Sequence, residues 1–177
     1  MRAFLDFEAS SLADDSYPIE VGWVFEDGTP ETHLIRPSPA WTDWDEAAER
    51  IHGISRATLE AQGAAVDVVA HRLLDSLQGH DLFVTAPSWD GKWLSVLLRA
   101  AGLPRRALRV HDADAAHVAA VVEVLGSPDR AAEILAEARA NLANDPVRHR
   151  ALADAEQELR LWREVQRLAA AHAAVRR

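Results

Sequence analysis

The sequence contains no cysteine, which excludes disulfide bonds, thiolate metal ligands and a cysteine nucleophile. It also lacks an apolar run long enough to span a bilayer, and its first residues contain no apolar signal-peptide segment. We therefore expect a cytoplasmic protein that has no membrane partner.

Positive charge is scarce as well. Lysine and arginine together number 19, with Lys92 as the single lysine, against 28 aspartates and glutamates, so the net charge is −9. Broad nucleic-acid footprints are usually basic, and the arginines here are scattered apart from Pro104-Arg-Arg106 and Arg109. The composition argues against a long basic binding track. It does not exclude a small site in which metal ions neutralise a phosphate.

What the chain does contain is a regular succession of elements, typical of one globular domain over residues 1–177. Strands are predicted at about 2–8, 18–25, 31–35, 81–86 and 107–110, with a hairpin turn at Asp27-Gly28. Helices are predicted at 41–51, 56–61, 66–77, 93–101, 114–125, 127–142 and from 149 to about 175. Ser55 and Ser127 are suitable N-caps, and Asn144-Asp-Pro146 separates the preceding helix from the last one. A three-strand meander followed by alternating helices and strands predicts an α/β fold with helices on the faces of the sheet.

Two carboxylates interrupt the first, otherwise apolar strand. Asp6 and Glu8 are two residues apart, so their side chains point to the same face. Buried carboxylates need a cation, a donor or a shared proton, and a hard divalent metal ion that prefers oxygen ligands meets this need best. The alternative is an edge strand whose charges lie in water.

Further polar residues follow the fourth strand and open the last helix. Asp90 lies just past that strand, where open α/β sheets place their sites; the alternative is a plain helix N-cap. Asp154 falls near the face of the last helix that should be buried, so it needs a partner. His149 would lie roughly 140° from Asp154 on an ideal helix, so the two share a site only if His149 lies at or before the first turn. The alternative for His149 is an exposed histidine.

Together these residues resemble the three motifs of the DEDDh 3′–5′ exonucleases, which include the polymerase proofreading subunit, ribonuclease T and oligoribonuclease. The motifs are Asp6-Phe-Glu8, Asp90 and His149-x-x-x-x-Asp154, in the family's order. Pro18-Ile-Glu-Val-Gly22 and Ile51-His-Gly-Ile-Ser55 also fall where the family has similar segments. The subtype with a tyrosine is disfavoured, because Arg150 occupies the position of that tyrosine.

The resemblance implies a ribonuclease H-like fold, with a mixed five-stranded sheet made of a three-strand antiparallel meander and two parallel strands. It implies a 3′–5′ exonuclease that uses two divalent metal ions, Mg²⁺ or Mn²⁺, and releases nucleoside 5′-monophosphates from short single-stranded RNA or DNA 3′ ends. The implied metal ligands, which are also catalytic, are Asp6, Glu8, Asp90 and Asp154. His149 would be the general base.

The resemblance also suggests substrate contacts and leaves alternatives open. The implied contacts are Ser10, Ser11, Leu12 and His52, although His52 is as well explained as a structural turn residue. The family often has Thr-Thr-Gly after the first glutamate, and it has an asparagine and a phenylalanine before the second aspartate, which this chain lacks. An inactive nucleic-acid-binding module of the same fold, or a phosphoesterase for small or modified nucleotides, would fit the same residues. A homodimer is also left open.

One further run has the residue types of a metal site. It is His111-Asp-Ala-Asp-Ala-Ala-His117, which contains two histidines and two aspartates. It coincides with a predicted strand-to-helix turn, so helix capping explains its aspartates better.

Overall fold

A mixed sheet forms the centre of the molecule in the computed structural model, which describes residues 1–143 and 149–175. Its strands are β1 (Arg2–Ala9), β2 (Pro18–Phe25), β3 (Pro30–Leu34), β4 (Asp81–Val84) and β5 (Val110–Asp112). They lie in the order β3-β2-β1-β4-β5. The β1–β2 and β2–β3 pairs are antiparallel, whereas the β1–β4 and β4–β5 pairs are parallel.

Helices cover both faces of this sheet. They are α1 (Glu46–His52), α2 (Arg56–Gln62), α3 (Val66–Leu77), α4 (Pro87–Ala100), α5 (Ala113–Leu125), α6 (Pro128–Asn141) and α7 (Ala151–Val175). Helices α3 and α4 pack on one face, and α5 and α7 pack on the other. This arrangement confirms the predicted fold class. None of the helices in the described ranges is both long and apolar enough to cross a membrane.

The alternation of side chains along β1 decides which groups face α7. Leu5 and Phe7 point into the core shared with α3 and α4. Phe4 points the other way and packs against Trp162 of α7, with ring centroids 6.1 Å apart. Because alternate residues of a strand share a face, Asp6 and Glu8 continue the face of Phe4 towards α7.

Gly22 allows α7 to lie directly on the sheet. It pairs with Asp6 in the β1–β2 register. A Cβ atom at this position would lie 2.5 Å from the Leu152 Cα atom, closer than atoms can approach. The missing side chain of Gly22 therefore fixes how closely the first turn of α7 approaches β1 and β2.

The predicted helix at 41–51 was too long, since only Glu46–His52 is helical. The Trp41 ring stacks on Tyr17 with centroids 5.0 Å apart, and the Asp45 amide donates to the Ser10 carbonyl. Asp45 then caps α1 by accepting a hydrogen bond from the Ala47 amide. These contacts with distant parts of the chain hold residues 41–45 in a non-helical path.

Several other boundaries also differ from the prediction. Helix α4 begins at Pro87 rather than at 93, because a proline in the first turn sacrifices no helical hydrogen bond. Strand β5 is displaced to Val110–Asp112, since the predicted segment begins with a turn in which the Ala107 amide donates to the Pro104 carbonyl. Helix α7 begins at Ala151. The predicted break at Asn144-Asp-Pro146 lies outside the described residues.

Candidate active site

Three carboxylates meet where β1 ends beneath the first turn of α7. Asp6, Glu8 and Asp154 each offer an oxygen atom, and these atoms lie within 4.8 Å of one another. Asp6 and Glu8 lie on the same face of β1, and Asp154 lies on α7, which packs closely on the sheet at Gly22. The sequence therefore builds a compact group of oxygen donors from two separate elements.

The pKa values of all three carboxylates are raised. For Asp6 the pKa rises well above its ordinary value, first because of burial and then because of the charges of Asp90, Glu8 and Asp154. Burial, followed by the charges of Asp154 and Glu20, raises the pKa of Glu8 to about 8. Burial also raises the pKa of Asp154, against the lowering effect of His149. A bound cation would relieve this repulsion, so the group suits a hard divalent metal ion.

Asp90 lies beside this group but is not one of its three members. It is buried in the first turn of α4, where its Oδ2 atom accepts a hydrogen bond from the Ala86 amide at 3.2 Å. Burial raises the pKa of Asp90 to about 7, against hydrogen bonds from the Ala86 and Phe7 backbones. The N-cap position belongs to Ala86, so Asp90 is not the N-cap residue itself. Its charge is the largest electrostatic contribution to the raised pKa of Asp6.

His149 lies just before α7, two residues ahead of its first residue Ala151. Its φ angle of 44° is in the left-handed region, and its side chain is exposed. It lines a cleft of about 500 Å³ together with Asp6, Asp154 and Thr85. The sequence prediction required His149 to precede the helix, and this placement meets that requirement.

The hydroxyls of Ser10 and Ser11 form hydrogen bonds within the protein. Both are buried, and both hydroxyls donate to Oδ2 of Asp43 at 2.7 Å. The Ser10 hydroxyl also accepts from the Tyr17 amide, and its own amide donates to the Tyr17 carbonyl. Leu12, at the exposed tip of this loop, is 70% exposed. The two serines thus shape the loop that presents Leu12, and their predicted contacts with a substrate stay predictions.

His52 is buried at the end of α1. Its Nδ1 atom accepts a hydrogen bond from the Ile54 amide at 3.0 Å, which is the turn role considered from the sequence. Its Nε2 atom has no hydrogen-bond partner within the described residues. Burial lowers the pKa of this imidazole, which favours its neutral form. The predicted substrate contact of His52 stays a prediction beside this structural role.

Sequence reasoning missed the pair of Glu20 and Arg150. Glu20 is buried on β2, opposite Glu8, and its carboxylate accepts hydrogen bonds from the Arg150 guanidinium and from the Ala151 amide at 3.0 Å. It therefore fastens the start of α7 to the sheet. A signal was present, because Glu20 is the one charged residue in the apolar run from Pro18 to Phe25 and so required a partner.

The aspartates of the run from His111 to His117 have structural roles. Asp112 caps α5 by accepting from the Ala115 amide, which confirms the capping prediction. Asp114 binds Arg139 through both of its oxygens. His117 is buried, with its Nε2 atom 3.2 Å from Glu158 Oε1.

Comparison with solved structures relates the fold to exonuclease I. The E. coli enzyme in its zinc-bound complex with single-stranded DNA matches with a TM-score of 0.71 at 15% sequence identity, over 94% of this chain and 40% of that one. A product-bound exonuclease I gives 0.69 at 15% identity, over 94% and 43%. The E. coli enzyme with a dT13 oligonucleotide gives 0.67 at 15% identity, over 89% and 39%.

These comparisons show a shared fold. The chain spans about two fifths of the length of the exonuclease I structures that it matches. The sequence matches no protein-family model and no curated protein with which it was compared.

Proposed function

We propose that this protein is a metal-dependent 3′–5′ exonuclease that releases nucleoside 5′-monophosphates from single-stranded RNA or DNA 3′ ends. The observation that carries the proposal is the group of Asp6, Glu8 and Asp154, with His149 in the same cleft. The shared fold with exonuclease I, solved with single-stranded DNA, supports it.

The donor set fits the metal ions that such chemistry uses. Asp6, Glu8 and Asp154 would hold one divalent ion, Mg²⁺ or Mn²⁺, and Asp6 with Asp90 would hold a second, Asp90 directly or through water. When bound, two such ions activate a water molecule and neutralise charge on a phosphodiester. The carboxylates have to be ionised to serve as ligands, so metal binding displaces the protons that their raised pKa values favour.

The chain's own groups would position and deprotonate the nucleophile. His149 would accept the proton of the attacking water, since its side chain is exposed and lines the cleft that contains Asp6 and Asp154. Leu12 would contact the terminal base from the loop that Ser10 and Ser11 hold against Asp43. The terminal nucleotide would also contact Ser10 and Ser11 in this loop and His52 at the end of α1.

The decisive experiment follows a 5′-labelled oligonucleotide with Mg²⁺ or Mn²⁺. We expect a ladder shortened from the 3′ end, release of nucleoside 5′-monophosphates and loss of turnover in EDTA. Asp6→Asn should abolish turnover and keep the fold, whereas the matched change Asp75→Asn on the exposed face of α3 should leave activity unchanged. Full activity in EDTA or in Asp6→Asn would refute the metal mechanism.

The same assay separates the alternatives. An inactive binding module would bind the oligonucleotide without shortening it. A phosphoesterase for small nucleotides would cleave a free diester and leave oligomers intact. Sedimentation of the active protein would show whether it is a monomer or a homodimer.

A further inference from the structure

A second cleft, of about 630 Å³, lies between α4 and β5. Three arginines line it, Arg105, Arg106 and Arg109, all of them exposed. We call it the arginine cleft. In a chain with a net charge of −9, such a concentration of positive charge stands out.

These arginines lack the acidic partners that several other arginines have. Arg72, for example, pairs with Glu31, and Arg167 pairs with Glu164. Within the described part of the chain, the side chains of Arg105, Arg106 and Arg109 have neither an ion pair nor a hydrogen bond, and no carboxylate lines the cleft.

The arginine cleft therefore holds three like charges whose mutual repulsion is uncompensated. A bound anion would relieve that repulsion. Guanidinium groups bind phosphate oxygens through paired N–H donors, and their planar faces can stack on bases.

Helix α4 and strand β4 connect the arginine cleft to the candidate active site. Gly91, on its α4 side, directly follows Asp90. His111, on its β5 side, pairs with Phe83 of β4, the strand that leads to Thr85 in the cleft of His149. A strand whose 3′ end lay at the carboxylates could thus continue over Gly91 to the arginines.

We propose that the arginine cleft binds the phosphates of the nucleotides upstream of the scissile bond. This inference rests on the proposed exonuclease function and extends it to the course of the substrate. Three arginines can bind two or three phosphates, so the bound segment of the nucleic acid is short. A short segment agrees with the acidic character of the rest of the chain.

The test compares Arg105→Gln/Arg106→Gln with wild type on a dinucleotide and a hexanucleotide at 50 and 200 mM salt. Each phosphate contact contributes about −0.7 to the slope of log affinity against log salt concentration for single strands. The double variant removes two contacts, so its slope with the hexanucleotide should be less negative by about 1.4. Wild-type kcat/KM on the hexanucleotide should then fall roughly sevenfold more than that of the variant over this range. Activity on the dinucleotide should not change.

The matched control is Arg36→Gln/Arg167→Gln, which removes the same charge from exposed positions outside the arginine cleft. It should keep the wild-type salt slope with the hexanucleotide. An equal loss in both double variants would mean that net charge alone acts, and would overturn the inference. An equal loss on the dinucleotide would also overturn it, since the arginines would then act at the scissile bond.

Binding separates failure of this inference from failure of the proposed function. Fluorescence anisotropy of a labelled hexanucleotide in EDTA reports the arginine cleft even if wild type shows no turnover. Weaker binding by Arg105→Gln/Arg106→Gln than by the control supports the inference. Equal binding overturns it, as would competition by inorganic phosphate or an acidic peptide as strong as that by an unlabelled hexanucleotide.

Discussion

The carboxylate of Glu20 receives the guanidinium of Arg150, with the Nη2 atom at 2.5 Å from Oε1 and the Nε atom at 3.0 Å from Oε2. Glu20 is buried on β2 opposite Glu8 of β1, so this ion pair joins the strand next to β1 to the start of α7. The positive charge of Arg150 also lowers the pKa of Glu8, against the larger effect of burial. Arg150 thus fastens the start of α7, between His149 and Asp154, and partly offsets the negative charge near Glu8.

Replacing Arg150 should affect both stability and turnover. Among the described residues, Arg150→Gln leaves the buried Glu20 with the Ala151 amide as its remaining donor. We expect a loss of roughly 2 kcal/mol because Arg150 itself is half-exposed. That corresponds to a decrease of about 4–8 °C in Tm. Misplacement of His149 and Asp154 should lower kcat by roughly 10- to 100-fold. Thermal denaturation in EDTA and steady-state kinetics measure the two effects.

A double-mutant cycle identifies the cause. Glu20→Gln in the Arg150→Gln background should recover part of the lost stability, because it removes the unpaired buried charge. Arg167→Gln, which breaks the exposed Arg167–Glu164 pair, should cost little. Additive losses in the cycle would show that Glu20 and Arg150 act independently.

The close approach of α7 at Gly22 leads to a second prediction. Gly22→Ala should prevent α7 from docking on β2, because its Cβ atom would overlap the Leu152 backbone, and activity should be lost together with several degrees of Tm. The control is Gly79→Ala, where the space is open and only the left-handed φ angle opposes alanine, at a cost of about 1 kcal/mol. Equal Tm values for the two variants would contradict a steric role for Gly22.

Local patterns predicted most of the elements, because their periodicity and end signals agree with the fold. Ser55 and Ser127 cap α2 and α6 as expected, and the bounds of β2 and α3 match those predicted. Asp6 and Glu8 could be paired from their spacing alone, since two residues on a strand define a face.

The contacts that complete the site depend on residues far apart in sequence. Asp43 accepts from Ser10 and Ser11 only because residues 41–45 leave the helical path, and Glu20 meets Arg150 across 130 positions. In each pair, the sequence around one residue does not identify the other. A buried charge such as Glu20 needs a partner, but which residue that partner is depends on the tertiary structure.

His149 offers the most direct test of the chemistry. His149→Ala should lower kcat by roughly 10²–10⁴ while leaving metal affinity nearly unchanged, because the imidazole is proposed to move a proton rather than to hold the ion. A base acts only when unprotonated, so the acid limb of the wild-type pH–rate profile should be altered in the variant. The exposed His71→Ala is the matched control. An unaltered profile in His149→Ala would assign the base to another group.

Glu158, which lines the cleft of His149, provides a stability prediction that is tested without metal. Burial, together with the charge of Asp114, raises its pKa to about 7 against the opposing charge of Arg139, and its closest ionisable neighbour is His117 at 3.2 Å. Burial lowers the pKa of His117, so near neutral pH both partners favour their uncharged forms.

Because the folded-state pKa of Glu158 is raised, its stabilising contribution is complete below the unfolded value of 4.5 and is lost as pH rises through about 7. Glu158→Gln removes this loss, whereas His117 titrates in both proteins. The variant should match wild type at pH 4 and exceed it at pH 8 by about 3 kcal/mol, or roughly 6–12 °C in Tm. Denaturation in EDTA measures the difference, with the exposed Glu123→Gln as control. A variant less stable than wild type at pH 8 would mean that an ionised Glu158 stabilises the fold through a protonated His117.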